Sequence, residues 1–386
     1  MSWKEFELKD VAKYRTAKIE TNLLNEKNYI STENMISEKG GVVNSSYPPS
    51  GKTTSSFKTD DILVSNIRPY FKKIWFAKND GGCSNDVIVF NPETNKVIPE
   101  FLYYQLSKDE FFDYMMSGAN GTKMPRGNKK AIPKFKLLIP KTFETQKHIA
   151  SILSNYDDLI ENNLRRIKLL EETAQNIYKE WFVNFRFPNY EHTEFDVESG
   201  LPVGWEMKKL SELVILTMGQ SPKSEFYNEN KEGLPFHQGV TGYGHRFVSH
   251  STYCSVVTRI AEEGDILFSV RAPVGRLNIA PEKLIIGRGL SAIRNKRNCQ
   301  SFQLYQLKNH FFQEDLIGGG AIFNSVTKND LENQLMILPL NEVVDEFERI
   351  IKPIDEQIWK LNLHSQNLKE ALDILLPRLM NRTIEV

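Results

Sequence analysis

The 386-residue chain balances forty-nine Lys and Arg against forty-nine Asp and Glu, so no uniformly basic coat exists and any nucleic-acid surface must come from local charge segregation. The length exceeds a usual single core, which makes two domains with connecting segments the natural expectation. Cys83, Cys254 and Cys299 are too widely spaced for zinc or disulfide use, and no apolar run approaches the ~18 residues of a membrane span, so the expectation is a cytoplasmic chain without metal or membrane contact.

The chain opens with Trp3 and Leu8, followed by Asp10 and Val11, which reads as an entry strand or helix start anchored by Trp. Residues 31–56 are rich in Gly, Ser and Asn and read as an exposed loop. SGKTT at 50–54 has the end of a phosphate-binding loop, but Ser46 stands where the first Gly belongs and Pro48 and Pro49 spoil the strand-loop-helix context. YPPSG lacks the polar-Pro-Pro-aromatic order with which amino-methyltransferases hold a flipped base.

DDILVSNIRP at 60–69, then IWFA and VIVF, alternate as strands. Basic residues interleave with aromatics and amides here: Arg68, Lys72 and Lys73 lie beside Tyr70, Phe71 and Trp75. GTKMPRGNKKAIPKFK then supplies Lys123, Arg126, Asn128, Lys129 and Lys130 without one acid. Arg and Lys reach phosphates, while Arg and Asn carry the paired donors and acceptors that read guanine and adenine edges.

Between 149 and 187 an unbroken heptad seam runs through Ile160, Asn163, Ile167, Leu170, Ile177 and Trp181, with Asn163 its one polar member. Pro188 is expected to close this helix. After the turn-rich LPVGW the order repeats: Trp205 and Leu210 stand 202 residues after Trp3 and Leu8, and Leu267 of GDILFSVRAP stands 204 after Leu63. A second irregular stretch, 217–246, reads as another loop. RLNIA and LSAI read as strands, Tyr305-Gln306-Leu307 matches Tyr104-Gln105-Leu106, Gly318 to Gly320 match the turn at Gly118 and Gly121, and LMILP matches FKLLIP. The basic candidates of this half are Arg246, Arg271, Arg276, Arg288 and Lys328. His237, His245 and His250 lie close in sequence without a fixed Cys or acidic partner and read as loop histidines.

A second seam closes the pattern through Ile358, Leu361, Ser365, Leu368, Leu375 and Leu379, offset by 198 from the first. Pro353 is expected to split off a leading turn at 341–351, and Pro377 to kink or weaken the end. Small drift of the offset with constant order marks a two-member duplication. The expected organisation is globular units at 1–140 and 205–340, long helices at 141–187 and 341–386, and a linker at 188–204. Neither HExxH nor GxSxG occurs, so the residues support neither metallo-hydrolysis nor a nucleophile elbow.

LPVGWEMKKLSELV, DILVSNIRPYFKKI, DILFSVRAPVGRL, TQKHIASILSNYDDLIENNLRRIKLLEETAQNIYKEWFVNFRFP and ALDILLPRLMNRTIEV together resemble the specificity subunits (HsdS) of type I restriction-modification systems, over nearly the whole chain. The resemblance implies an α+β fold: two similar mixed α/β target recognition domains, each reading half of a split double-stranded DNA sequence, with two antiparallel coiled-coil helices between them and a pseudo-two-fold. It also implies two methyltransferase (HsdM) subunits that use S-adenosylmethionine and ATP-driven restriction (HsdR) motor-nuclease subunits. This chain itself would bind no cofactor and carry no catalytic residue. Its alternative is a duplicated coiled-coil adaptor that never touches DNA. From Tyr156 to Trp181 the seam rises roughly 39 Å at about 1.5 Å per residue, close to one DNA turn of about 34–36 Å, which predicts two half-sites about one turn apart.

Overall fold

Both halves begin with a short strand that runs directly into a single helical turn: β1 (Trp3–Glu7) into α1 (Leu8–Val11), and β11 (Glu206–Lys209) into α5 (Leu210–Leu213). One acid fixes each junction, because the Glu7 N–H donates to Asp10 Oδ2 at 3.0 Å and the Lys209 N–H to Glu212 Oε1 at 3.0 Å. The computed structural model describes residues 2–384 except 47, 48, 50, 120, 122 and 312–324. The Gly318–Gly320 turn and most of YPPSG therefore lie outside the described residues. The chain divides into two compact units: unit 1 holds residues 1–164 and 363–386, and unit 2 holds 165–362.

In unit 1, β2 (Ala12–Tyr14), β6 (Ile62–Ser65), β7 (Ile74–Phe76) and β9 (Val87–Pro92) form an antiparallel sheet in the order β2-β9-β6-β7. All four residues of β6 are buried, so ILVS reads as an apolar run rather than an alternation. A second sheet, β3-β5-β8-β4, contains β3 (Lys18–Glu20), β4 (Tyr29–Ile30), β5 (Thr53–Phe57) and β8 (Gly81–Cys83), with β4 and β8 parallel. Part of SGKTT is thus strand β5, not a phosphate loop leading into a helix. β10 (Lys136–Pro140) pairs with β1. Helices α2 (Pro99–Leu106) and α3 (Asp109–Ser117) bury Phe101, Phe111 and Phe112 in the core.

Unit 2 repeats the plan. Its antiparallel sheet β12-β20-β17-β18 uses β12 (Val214–Met218), β17 (Ile266–Ser269), β18 (Leu277–Ile279) and β20 (Leu290–Asn295). Its second sheet has five strands in the order β13-β15-β14-β19-β16: β13 (Tyr227–Asn228), β14 (Leu234–His237), β15 (Tyr253–Cys254), β16 (Ile260–Ala261) and β19 (Leu284–Ile286). β14 and β19 are parallel. Three of its strands are two residues long, too short to leave an alternation in the sequence, so the stretch read as a loop at 217–246 is partly sheet. α6 (Gln300–Phe311), α7 (Lys328–Glu332) and β21 (Leu335–Leu338), paired with β11, complete the unit. The matched glutamines do the same work: Gln105 Nε2 donates to the Leu138 carbonyl and Gln306 Nε2 to the Ile337 carbonyl, both at 2.7 Å.

Helices α4 (Phe143–Phe182) and α8 (Asn341–Met380) each run 40 residues, and each unit takes half of both. In unit 1 Ile149 and Leu153 near the start of α4 cluster with Leu376 and Leu379 near the end of α8. In unit 2 Tyr178 and Trp181, near the end of α4, pack on Phe347 near the start of α8, so the helices are antiparallel. Ile167, Ile358 and Leu361 form one buried cluster with Leu170 at its edge. Ile160 is buried, while Ile177, Leu368 and Leu375 are half-buried. Asn163 and Ser365 are buried as well, and Asn163 Nδ2 lies 3.2 Å from His364 Nδ1.

Two expectations about proline are corrected. α8 passes unbroken through Pro353, and it ends at Met380, three residues after Pro377. Pro353 and Arg349, whose carbonyl loses its helical partner to the proline, are both exposed residues, while Phe347, Ile351 and Ile358 are buried. α4 ends at Phe182, before Pro188: Phe185 takes φ 57° and the Arg186 N–H donates back to the Glu180 carbonyl at 2.7 Å.

Candidate nucleic-acid interfaces

Where β6 ends, the chain leaves the sheet and zips onto the basic loop. The Asn66 N–H donates to the Asp86 carbonyl at 2.8 Å, the Arg68 N–H to Pro125 at 2.7 Å, and the Gly127 N–H to Asn66 at 3.1 Å. Gly127 has no alternative, since a Cβ there would sit 2.9 Å from Asn66 Oδ1 and 3.1 Å from Met115 Cε. Arg68 and Lys72 both adopt φ 49°, flanking a helical turn at Pro69–Phe71, a conformation costing of order 1 kcal/mol each for a residue with a side chain.

This frame brings together Arg68 and the run from Lys123 to Lys130. Lys123, Arg126, Lys129 and Lys130 are exposed, and the Arg126 guanidinium lies 3.3 Å from the Asp86 carboxylate. Asn128 is half-buried, its Oδ1 accepting from the Lys130 N–H at 3.0 Å. Arg68 is half-buried, and among the described residues its Nε has no hydrogen-bond partner. Two neighbours serve the loop instead of facing outward. Lys72 is 3.0 Å from Asp109 and 3.8 Å from Glu38, and Lys73 donates to the Thr32 carbonyl at 2.7 Å, where burial lowers its pKa.

Unit 2 builds the same zip. The Val270 N–H donates to the Gly289 carbonyl at 2.9 Å and the Val326 N–H to Val270 at 2.8 Å, with Arg271 bridged to Ser325. Arg271, Arg276 and Arg288 are exposed on it. Lys328 opens α7, 3.3 Å from Glu332.

Arg246 does not join them. It is 4% exposed, donating to Tyr305 Oη at 3.0 Å and to Asp355, with Glu171 at 3.5 Å. Its pKa is raised: the carboxylates of Asp355 and Glu171 and the Tyr305 hydroxyl outweigh the largest single influence, burial, which lowers it. It is a structural ion, and its partners lie 59, 75 and 109 positions away in the sequence, out of reach of any local pattern. His245 and His250 lie in loops as expected, but the reading is corrected for His237. His237 is buried in β14, with Nε2 2.8 Å from His250 Nδ1, and burial pushes its pKa down to about 4. His250 Nε2 lies 3.3 Å from Glu282. His245 is 3.4 Å from Glu171. Among the described residues no group of three His, Cys, Asp or Glu is arranged to hold a metal ion, and no helix is long and apolar enough to cross a membrane.

Sequence reasoning passed over Lys18, Ser55 and Asn85 in unit 1 and Ser221 and Gln238 in unit 2, polar residues that hydrogen-bond to one another within each unit and carry no charge cluster that would mark them. A scaffold built twice, each copy presenting exposed cations on zipped loops at strand ends, defines a duplicated recognition protein. The type I restriction modification DNA specificity domain matches residues 1–172 and 202–369, and the chain belongs to that family. It is 31% identical over 308 residues, 78% of this chain and 72% of the relative, to a putative type I restriction enzyme MjaX specificity subunit of Methanocaldococcus jannaschii. To the HindI specificity subunit of Haemophilus influenzae it is 25% identical over 99% of both chains. The crystal structure of the type I restriction-modification S subunit from M. genitalium shares the fold, with a TM-score of 0.59 at 15% identity over 98% of this chain and 96% of that one.

Proposed function

We propose that this chain is the DNA-reading subunit of a type I restriction-modification complex, each unit recognising one half of a bipartite double-stranded target. The observation that carries the reading is the repeated zip, which holds Arg126 and its neighbours in unit 1 and Arg271 and Arg276 in unit 2 on equivalent backbone frames. Two methyltransferase subunits and the restriction motor-nuclease subunits supply the chemistry, with S-adenosylmethionine and ATP bound on them; this chain is non-catalytic and works in the cytoplasm.

Site selection from random duplex DNA, using the chain assembled with methyltransferase subunits, tests the proposal. Arg68→Ala with Arg126→Ala should relax only one half-site, by about 1–3 kcal/mol for each base contact, and Arg271→Ala with Arg288→Ala only the other. Affinity should fall steeply with salt as counterions leave the phosphates. Salt-insensitive assembly without DNA binding would establish the adaptor reading in its place. One heptad added in register to both α4 and α8, about 10 Å, should lengthen the selected gap by about three base pairs. An unchanged gap would remove the helices from any spacing role.

A further inference from the structure

The turn between β8 and β9 in unit 1 and that between β19 and β20 in unit 2 are the same turn built twice. In unit 1 the Ser84 N–H donates to the Ile30 carbonyl at 2.9 Å and the Val87 N–H to Ser84 at 3.0 Å. In unit 2 the Gly287 N–H donates to His237 at 2.8 Å and the Leu290 N–H to Gly287 at 3.0 Å. The residue after the tip accepts from the zipped loop in both, Asp86 from Asn66 and Gly289 from Val270. These matched bonds make Asn85 and Arg288 equivalent, and both are exposed.

What differs is the chemistry at the tip. Asn85 Oδ1 lies 3.3 Å from Lys18 Nζ and 3.3 Å from Ser55 Oγ, and Lys129 Nζ lies 3.4 Å from the Asn85 carbonyl. The Arg288 N–H donates to Ser221 Oγ at 3.1 Å, and Ser221 Oγ donates to Gln238 Oε1 at 2.7 Å. Glycine flanks Arg288 on both sides because the turn presses on Gln238: a Cβ at 287 would approach Gln238 Oε1 to 2.8 Å, and one at 289 the Gln238 carbonyl to 2.5 Å. The backbone is pinned and the tip is left to vary. Among the described residues no carboxylate forms an ion pair with Arg288, whereas Arg294 and Arg297 are taken by Asp265 and Asp345.

A turn that served only to hold phosphate would favour a cation in both units, yet unit 1 places an uncharged amide there beside the Asp86 carboxylate. Asn and Arg are the side chains that bond bidentately to adenine N6 and N7 and to guanine O6 and N7 in the major groove. We propose that Asn85 and Arg288 are one specificity-determining position used twice, reading adenine in the half-site of unit 1 and guanine in that of unit 2. This rests on the proposed DNA-reading function.

The test exchanges the two side chains. Asn85→Arg and Arg288→Asn are made separately in the full chain, assembled with methyltransferase subunits, and bound sites are selected from random duplex DNA at two salt concentrations. Asn85→Arg should move one base pair of one half-site from adenine toward guanine, and Arg288→Asn one base pair of the other from guanine toward adenine. All other positions should stay as they were. Asn85→Ala and Arg288→Ala, with unchanged melting temperatures, should lose roughly ten- to a hundredfold discrimination at that base pair alone. Unchanged sites overturn the assignment. So does a uniform affinity loss with a shallower salt slope, the mark of a phosphate contact. If the unaltered complex selects no bipartite sequence, the DNA-reading function falls as well; variants that select the parental sequence sink this inference alone.

Discussion

Units 1 and 2 keep the same backbone skeleton while rewiring the charges inside it. The buried Asp61 at the start of β6 receives the Lys58 N–H at 2.8 Å, and Asp265 at the start of β17 receives the Glu262 N–H at 2.9 Å. The first takes its guanidinium from Arg15 beyond β2, the second from Arg294 on β20. The tyrosines diverge further. Tyr104 Oη donates to Asp157 at 2.7 Å, among the described residues no arginine pairs with that carboxylate, and burial raises the Asp157 pKa. Tyr305 Oη donates to Asp355 at 3.0 Å, and Arg246 fills out the site. A duplicated fold thus preserves backbone hydrogen bonds, which fix where strands lie, and lets any neighbouring strand or loop supply a counter-ion.

The largest expected break in this comparison is at Arg246. Arg246→Ala leaves Asp355 and Glu171 without their shared cation and should cost about 3–5 kcal/mol in urea unfolding. Loss below 1 kcal/mol would mean the guanidinium is not holding unit 2 together.

Next comes His237, whose place in unit 1 is taken by Ile30. Its folded pKa, about 4, lies below the unfolded value of about 6.5. The unfolded chain therefore binds the extra proton first, and stability present above pH 6.5 drains away as pH falls toward 4. His237→Ile should flatten that slope, worth up to about 3 kcal/mol across the window. Denaturation midpoints between pH 4.5 and 7.5 read it, and parallel profiles for parent and variant would refute the idea.

The two aspartates give a matched pair. Asp355→Asn should cost about 2 kcal/mol, because Arg246 loses an ionic partner. Asp157→Asn should cost under about 1 kcal/mol at neutral pH and gain on the parent as pH rises, since a raised carboxyl pKa contributes stability only while protonated. Equal costs in both units would erase the distinction.

The smallest effect concerns the seam. Replacing Asn163 and Ser365 by Leu should raise stability by about 1 kcal/mol while admitting misregistered or self-associated forms visible in light scattering. A monodisperse, fully active product would show that the Asn163–His364 contact does not set register.

The duplication and the helix seam were legible because they leave periodic marks: offsets of 198 to 204 residues and apolar positions every three or four. Trp205, Leu210 and both glutamines of the Tyr-Gln-Leu matches stand where those offsets place them. The second sheets were not legible, because strands such as Tyr253–Cys254 hold too few residues to show a period. Arg246 looked like a loop cation since its neighbours are Gly244, His245 and Phe247, and nothing local announces Asp355. Asn85 escaped notice for the opposite reason: an uncharged residue becomes conspicuous only when superposed bond by bond on Arg288. The unbroken α8 shows packing overriding proline, which no local rule weighs.

Leu376, Leu379 and Met380 belong to the core that also contains Leu8 and Phe101. Unit 2 is one continuous stretch of chain, but unit 1 is closed by residues more than two hundred positions downstream of its last sheet strand. During synthesis, unit 2 can condense as it leaves the ribosome, while the sheets of unit 1 wait with one face of their core uncovered. At 5–20 residues per second that interval lasts from about ten seconds to most of a minute. Over that time Ile149, Leu153 and their neighbours lack the Leu376 and Leu379 side chains that cover them in the finished core, so a chain stopped short of α8 would carry unit 1 with that apolar surface open.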